Sequence, residues 1–290
     1  MSRNPAKLKE VLETLYQRYN HRRCIKPDPL QFVYNYADPV DMEIAAFVSA
    51  LLAYGRVSQI QNSLTSLFAL MGNSPLRFVT GFDGKNSPKL LSFRHRFTTG
   101  RDISDLFDLL KVVYSRFGSL EKLFLPGCSP SDKNIIPALQ QFCQSLLDMH
   151  AALNNGRISK GLCYLLPRPE KKSACKRLNL FLRWMVRNDD VDTGLWKGGP
   201  SGTISIDKAK LIIPVDVHAA RLCRILGLYD RKTVCLSAAM NITAAFAEIE
   251  PADPVKYDFA LTRVGIVEHC TGKAATPCRT CLLSGLCTVN

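Results

Sequence analysis

Four cysteines close the chain: Cys270, Cys278, Cys281 and Cys287, spaced C-x7-C-x2-C-x5-C within the last 21 residues. Four thiolates in so short a stretch can wrap one polynuclear iron–sulfur centre or one tetrahedral ion. Zinc sites usually show two paired knuckles, and only Cys278 and Cys281 form one here. That favours a [4Fe–4S] cluster and leaves zinc as the alternative. The other cysteines (Cys24, Cys128, Cys143, Cys163, Cys175, Cys223 and Cys235) are scattered, mostly in apolar stretches, and read as free thiols acting as small hydrophobes. No apolar run follows the basic residues of the first nine positions, so no secretory signal and a reducing, cytoplasmic setting are expected. There, clustered cysteines point to metal rather than to disulfides.

A carboxylate is the second candidate. Asp216, in Pro214-Val-Asp216-Val-His218-Ala-Ala-Arg221-Leu, stands where a helix should begin, and its side chain can cap that helix for ~1 kcal/mol. Around these groups the chain is strongly basic, with 38 Lys and Arg against 25 Asp and Glu and a net charge of +13. Such an excess favours a polyanionic partner, nucleic acid first. The 47% apolar and 22% charged composition excludes wholesale disorder. The longest largely apolar run, Ile44 to Tyr54, is too short to cross a bilayer, so no membrane partner is expected.

The elements that must position these groups read as helices nearly throughout. Leu8, Val11, Leu12, Leu15 and Tyr16 fall on one face of a first helix. Asp38-Pro39 supplies a cap and a first-turn proline for a second, which should end at Gly55. Further helices are predicted after Asp102, over Ile136 to Leu147, over Ser173 to Val186, from Val217 to about Leu226, from Thr233 toward Glu248, and from Asp253-Pro254 to about Val264. Thr203 to Asp207 alternates, but briefly and beside glycines, and is expected to be a loop or a minor extended piece. The segments 73–88, 126–132, 166–172 and 188–214 read as loops, none of them an interdomain linker. An all-α fold is expected.

Tyr257-Asp-Phe-Ala-Leu-Thr-Arg-Val-Gly-Ile with the cysteine loop resembles the C-terminal end of endonuclease III and its relatives, the helix-hairpin-helix DNA glycosylases, whose loop reads C-x6-C-x2-C-x5-C. The segment around Asp216, 54 residues before Cys270, is similar to that superfamily's catalytic V-D-T-H-I-x-R, and Ala53-Tyr54-Gly55-Arg56 with its helix resembles an early family segment. Lys176 to Arg187 resembles the K-R-L-N-x-F-L-R-W-M-V-R of an uncharacterised bacterial branch. The pattern departs at Leu166 to Lys176. The hairpin's glycines are missing there, and Arg168, Lys171 and Lys172 supply charge instead.

This resemblance implies a two-lobed endonuclease III-like fold over 1–290. Residues 30–226 would form a central lobe, 1–29 with 227–290 a second, and 270–287 the iron–sulfur loop. It implies a monomeric, DNA-binding base-excision repair glycosylase that hydrolyses the N-glycosidic bond of a damaged base in duplex DNA. Asp216 would stabilise the oxocarbenium-like transition state. Lys176, 40 residues before Asp216, would be the Schiff-base amine of an AP-lyase step, with Lys197 a competing candidate. Arg168, Lys171, Lys172, Arg263, Lys273 and Arg279 would meet phosphates. Tyr54, Arg56 and Trp196 are candidates to stack on a base, although packing is the commoner fate of aromatic residues at helix ends. The alternative is a non-catalytic iron–sulfur nucleic-acid-binding protein on the same scaffold.

Overall fold

A computed structural model describes residues 5–84, 88–198, 205–230, 233–274 and 276–288. Thr203 and Ile204 of the alternating stretch lie outside the described residues, and Ser205 to Asp207 are irregular. The chain is mostly helical, as expected. In order, the helices are α1 (Pro5–Tyr19), α2 (Pro39–Leu51), α3 (Val57–Met71), α4 (Pro75–Thr80), α5 (Pro88–Leu91), α6 (Gly100–Phe117), α7 (Leu120–Phe124), α8 (Ile136–Leu153), α9 (Lys160–Leu165), α10 (Lys176–Val186), α11 (Val217–Ile225), α12 (Leu236–Ala247) and α13 (Asp258–Ile266). The strands β1 (Arg94–His95) and β2 (Thr98–Thr99) form a small antiparallel hairpin before α6.

The chain packs as two compact units. One comprises Ile25–Lys171 and Gly194–Ile206; the other comprises Met1–Cys24, Lys172–Thr193 and Asp207–Asn290. The expected central lobe ran through residue 226, so the observed division differs. Segments 172–193 and 207–226 belong with the two termini. The cause is electrostatic: α10 sends Arg183 to Asp258 and is followed by Arg187, which pairs with Asp253.

In the first unit α2 is the central element, with Ile44 to Leu51 buried throughout. Asp38 caps it by accepting from the N–H groups of Val40 and Asp41 at 2.9 and 3.2 Å. Its Glu43 is buried at the start of α7, accepting from Tyr114, from the backbone N–H groups of Leu120 and Glu121, and from Trp196 Nε1 at 2.6 Å. Burial pushes the Glu43 carboxyl up, against those four donors. Trp196 is therefore a core anchor of this unit and not a residue that stacks on a base.

In the second unit α1 and α11 pack on α13. The predicted helix from Asp253-Pro254 begins only at Asp258, because the Asp253 carboxylate is taken by Arg187 instead of capping a helix. Ser173 to Cys175 stay outside α10, because Cys175 holds a left-handed backbone (φ 48°) that stops helical hydrogen bonding there.

Candidate active site

Asp216 is the N-cap of α11. Its Oδ1 accepts from the N–H groups of His218 and Ala219 at 2.9 and 2.8 Å, two of the donors a helix start leaves orphaned. The side chain is half-buried, and both cap bonds fall on one oxygen. The positive end of α11 favours its negative charge. Preceding it, Leu211 to Val215 are buried, so the carboxylate emerges at the rim of the core.

Lys176 opens α10 and is also half-buried. These two candidates, 40 residues apart in the chain, both lie within electrostatic range of Asp258, the first residue of α13. Asp258 is buried and paired with Arg183. Burial pushes its carboxyl up to about 6 against the pull of Arg183, and the charges of Asp216 and Lys176 are both felt there, the first raising it and the second lowering it. The N-terminal ends of α10, α11 and α13 thus contribute an amine and two carboxylates to one neighbourhood. Lys197 falls in the other unit, on the segment that Trp196 anchors.

Behind this neighbourhood lies a buried ionic network. Arg183 pairs with Asp192 at 3.2 Å and with Asp258; Arg187 pairs with Asp192, with Asp189 at 2.9 Å and with Asp253 at 3.0 Å. Burial would lower the Arg187 guanidinium, but the three carboxylates around it outweigh that and hold it protonated. No local pattern points to this network, because its partners are separated by up to 75 residues.

The cysteine loop is anchored on the aspartate helix. The Arg221 guanidinium donates to the Cys270 carbonyl at 2.6 Å and contacts His218 Nδ1 at 3.1 Å, and the Thr288 N–H and hydroxyl donate to the Ile225 carbonyl. Gly272 (φ 77°) lies where an added Cβ would meet Arg221 Cδ at 2.8 Å, so the loop passes as close to α11 as a backbone can. Cys270, Cys278, Cys281 and Cys287 are all half-buried. Burial pushes the Cys281 thiol up, with Glu268, Cys270 and Cys278 adding to the rise, so three of the four sulfurs are electrostatic neighbours. Among the described residues no three His, Cys, Asp or Glu side chains yet converge on a point that holds an ion. The donor set is nonetheless uniformly soft sulfur on one tethered loop, which fits iron–sulfur or zinc ligation.

The expected phosphate contacts separate into three groups. Lys171, Lys172, Lys273 and Arg279 are exposed and available. Arg168 is partly spent: it pairs with Glu170 at 2.8 Å and donates to Gln144. Arg263, expected beside a phosphate, is instead buried at 1% exposure with its guanidinium over the Phe259 ring, so it is a core residue. Lys171 and Lys172 also fall in different units, which divides the basic turn that stood where hairpin glycines were expected.

A family model described as Protein of unknown function (DUF2400) matches residues 28–267 and ends before Cys270. No curated protein and no solved structure matches the chain. Nothing in the matching family indicates a helix-hairpin-helix glycosylase, and the expected membership of that superfamily is corrected accordingly.

Proposed function

We propose that this chain, which belongs to the DUF2400 family of proteins of unknown function, binds DNA and breaks an N-glycosidic bond, with Asp216 as its charge-stabilising carboxylate. The observation that carries this is the half-buried Asp216 carboxylate fixed at the N-terminus of α11, with both cap bonds on one oxygen. The net charge of +13 supplies the attraction to a polyanion.

Cleavage builds positive charge on the sugar ring, and a fixed carboxylate at a helix N-terminus lowers the energy of that state. The departing base takes the electron pair of the C1′–N bond and a proton. Either water or the Lys176 amine then bonds to C1′, giving up a proton that Asp216 can accept. Where the amine attacks, the sugar ring opens to an imine on Lys176. Asp258 and the arginines behind it tie α10 to α13, and α11 packs on α13.

Incubation with duplexes carrying abasic sites and a panel of damaged bases, followed by denaturing gels, tests the activity. Borohydride should trap a covalent complex with the wild-type protein and none with Lys176→Gln. Base release without any trapped complex assigns the attack to water; no strand or base release on the whole panel overturns the enzymatic reading.

The four C-terminal cysteines are proposed to hold a [4Fe–4S] cluster. Bound there, it would supply cross-linking of the loop that grips α11, since glycosidic cleavage transfers no electrons. Purified protein should show broad absorbance near ~400 nm and bound iron. Cys281→Ser should lose both, while Cys143→Ser, altering a buried thiol on α8, should keep them. Zinc without iron overturns the cluster.

A further inference from the structure

The β1–β2 hairpin of the first unit presents an aromatic ring to solvent on a rigid mount. Its register pairs Arg94 with Thr99 and His95 with Thr98, leaving Arg96 and Phe97 as the turn. Arg96 holds a left-handed backbone at φ 52°, a conformation non-glycine residues rarely adopt. Beneath the turn the mount is firm. His95 is fully buried, its Nδ1 at 2.9 Å from Ser63 Oγ and its Nε2 at 3.0 Å from the Tyr54 carbonyl. The Tyr54 hydroxyl donates to the His95 carbonyl at 2.8 Å and lies 2.7 Å from Thr98 Oγ1. Gly55 (φ 97°) leaves room for the Arg96 side chain, which an added Cβ would meet at 2.6 Å.

From this buried base a row of rings runs outward. Tyr54 meets His95 edge to face with centroids 4.5 Å apart, Tyr164 of α9 meets Tyr54 at 5.4 Å, and Phe97 meets Tyr164 at 5.9 Å. Exposure rises along it: Tyr164 is 40% and Phe97 67% accessible. The Arg96 guanidinium lies 5.3 Å from the Phe97 centroid. Arg56, Arg94, Arg96, Arg101 and Lys160, on the hairpin and the elements beside it, are exposed, and none forms an ion pair among the described residues. The nearby acid, Asp102, is spent on the Thr99 N–H and hydroxyl. An exposed ring braced by others and surrounded by unpaired arginines suits a flat aromatic ligand on a polyanionic backbone.

We propose that Phe97 and Tyr164 form a stacking platform for unpaired nucleobases, and that the surrounding arginines hold the phosphates of the same strand. This surface lies wholly within the first unit and does not rest on the chemistry at Asp216. Its sequence is Arg94-His-Arg-Phe-Thr98, too short to register as a strand pair.

The test is binding of a fluorescein-labelled single-stranded oligothymidylate of about 15 nucleotides, followed by anisotropy. Phe97→Ala should weaken binding about tenfold, and Arg94→Gln with Arg96→Gln should flatten its salt dependence. Phe97→Trp supplies a direct readout, because Trp184 and Trp196 are both buried and the new indole would be the exposed one. Its emission should be quenched on adding the oligonucleotide. Unchanged affinity in a folded Phe97→Ala, or an unquenched Phe97→Trp, overturns the platform. A shift of oligomeric state with Phe97→Ala, without loss of strand binding, also overturns it and makes the surface a self-contact. Strand binding is read here without any turnover, which separates failure of the platform from failure of the glycosidic chemistry.

Discussion

Asp216→Asn is expected to lower turnover by about 100-fold or more while α11 stays in place. Asparagine keeps a side-chain oxygen that can accept from His218 and Ala219, so the cap survives with little loss of stability. What disappears is the negative charge. A carboxylate that stabilises a cationic transition state contributes on the order of 3 kcal/mol or more, and an amide cannot replace it. DNA affinity should hold or rise, since an anion has left a surface proposed to meet phosphates. The comparison variant is Asp216→Ala, which loses cap and charge together and should lower stability by ~1 kcal/mol as well. Wild-type turnover in a folded Asp216→Asn would reduce this residue to a cap.

Arg183→Met should be the most destabilising single change in the second unit. The substitution is close in volume but withdraws the buried partner of Asp258 and one of the two arginines on Asp192. Breaking a buried ion pair from one side typically costs about 3–5 kcal/mol, because the remaining charge has no compensation. By contrast Arg168→Gln, which breaks a more exposed pair with Glu170, should cost less than ~1 kcal/mol. The deficit should also depend on pH. Asp258 titrates at about 6 in the folded protein and nearer 3.8 when unfolded, so the folded state holds its proton more tightly. The contribution of such a group to stability falls as pH rises through that window. Without Arg183 the Asp258 carboxyl rises further, and the loss should be larger at pH 7 than at pH 5. Urea midpoints at the two values check this, and equal deficits would assign the loss to packing alone.

Much of the helical frame is written in local signals. Asp38-Pro39 and Asp216 cap the helices their types promise, and the spacing of Leu8, Leu12 and Leu15 marks the buried face of α1. Local signals fail where a distant partner decides. Asp253 resembles a cap until Arg187 claims it, and Arg263 resembles a phosphate ligand until Phe259 covers it. Trp196 sits in a glycine-rich stretch yet is fixed by a glutamate 153 residues earlier. Helices α3, α4, α5, α7 and α9 escaped notice, and α4 falls within 73–88, expected to be a loop; α4 and α9 have six residues each, and their caps, Ser74 and Ser159, are individually commonplace. The proposed site was partly legible: Asp216 and Lys176 could be nominated separately, but Asp258, which feels the charge of both, is a buried acid that no spacing rule singles out.

The interleaving of the two units has a consequence for biosynthesis. The second unit draws on three stretches of chain, and residues 25–171 separate the first stretch from the next. As the polypeptide leaves the ribosome, most of the first unit is available to collapse while α1 still has no partner, because α13 emerges last. Leu8, Leu12 and Leu15 therefore spend nearly the whole of translation exposed. The nascent chain should accordingly show protease-resistant density first over residues 25–171, with protection of α1 appearing only once α13 has emerged.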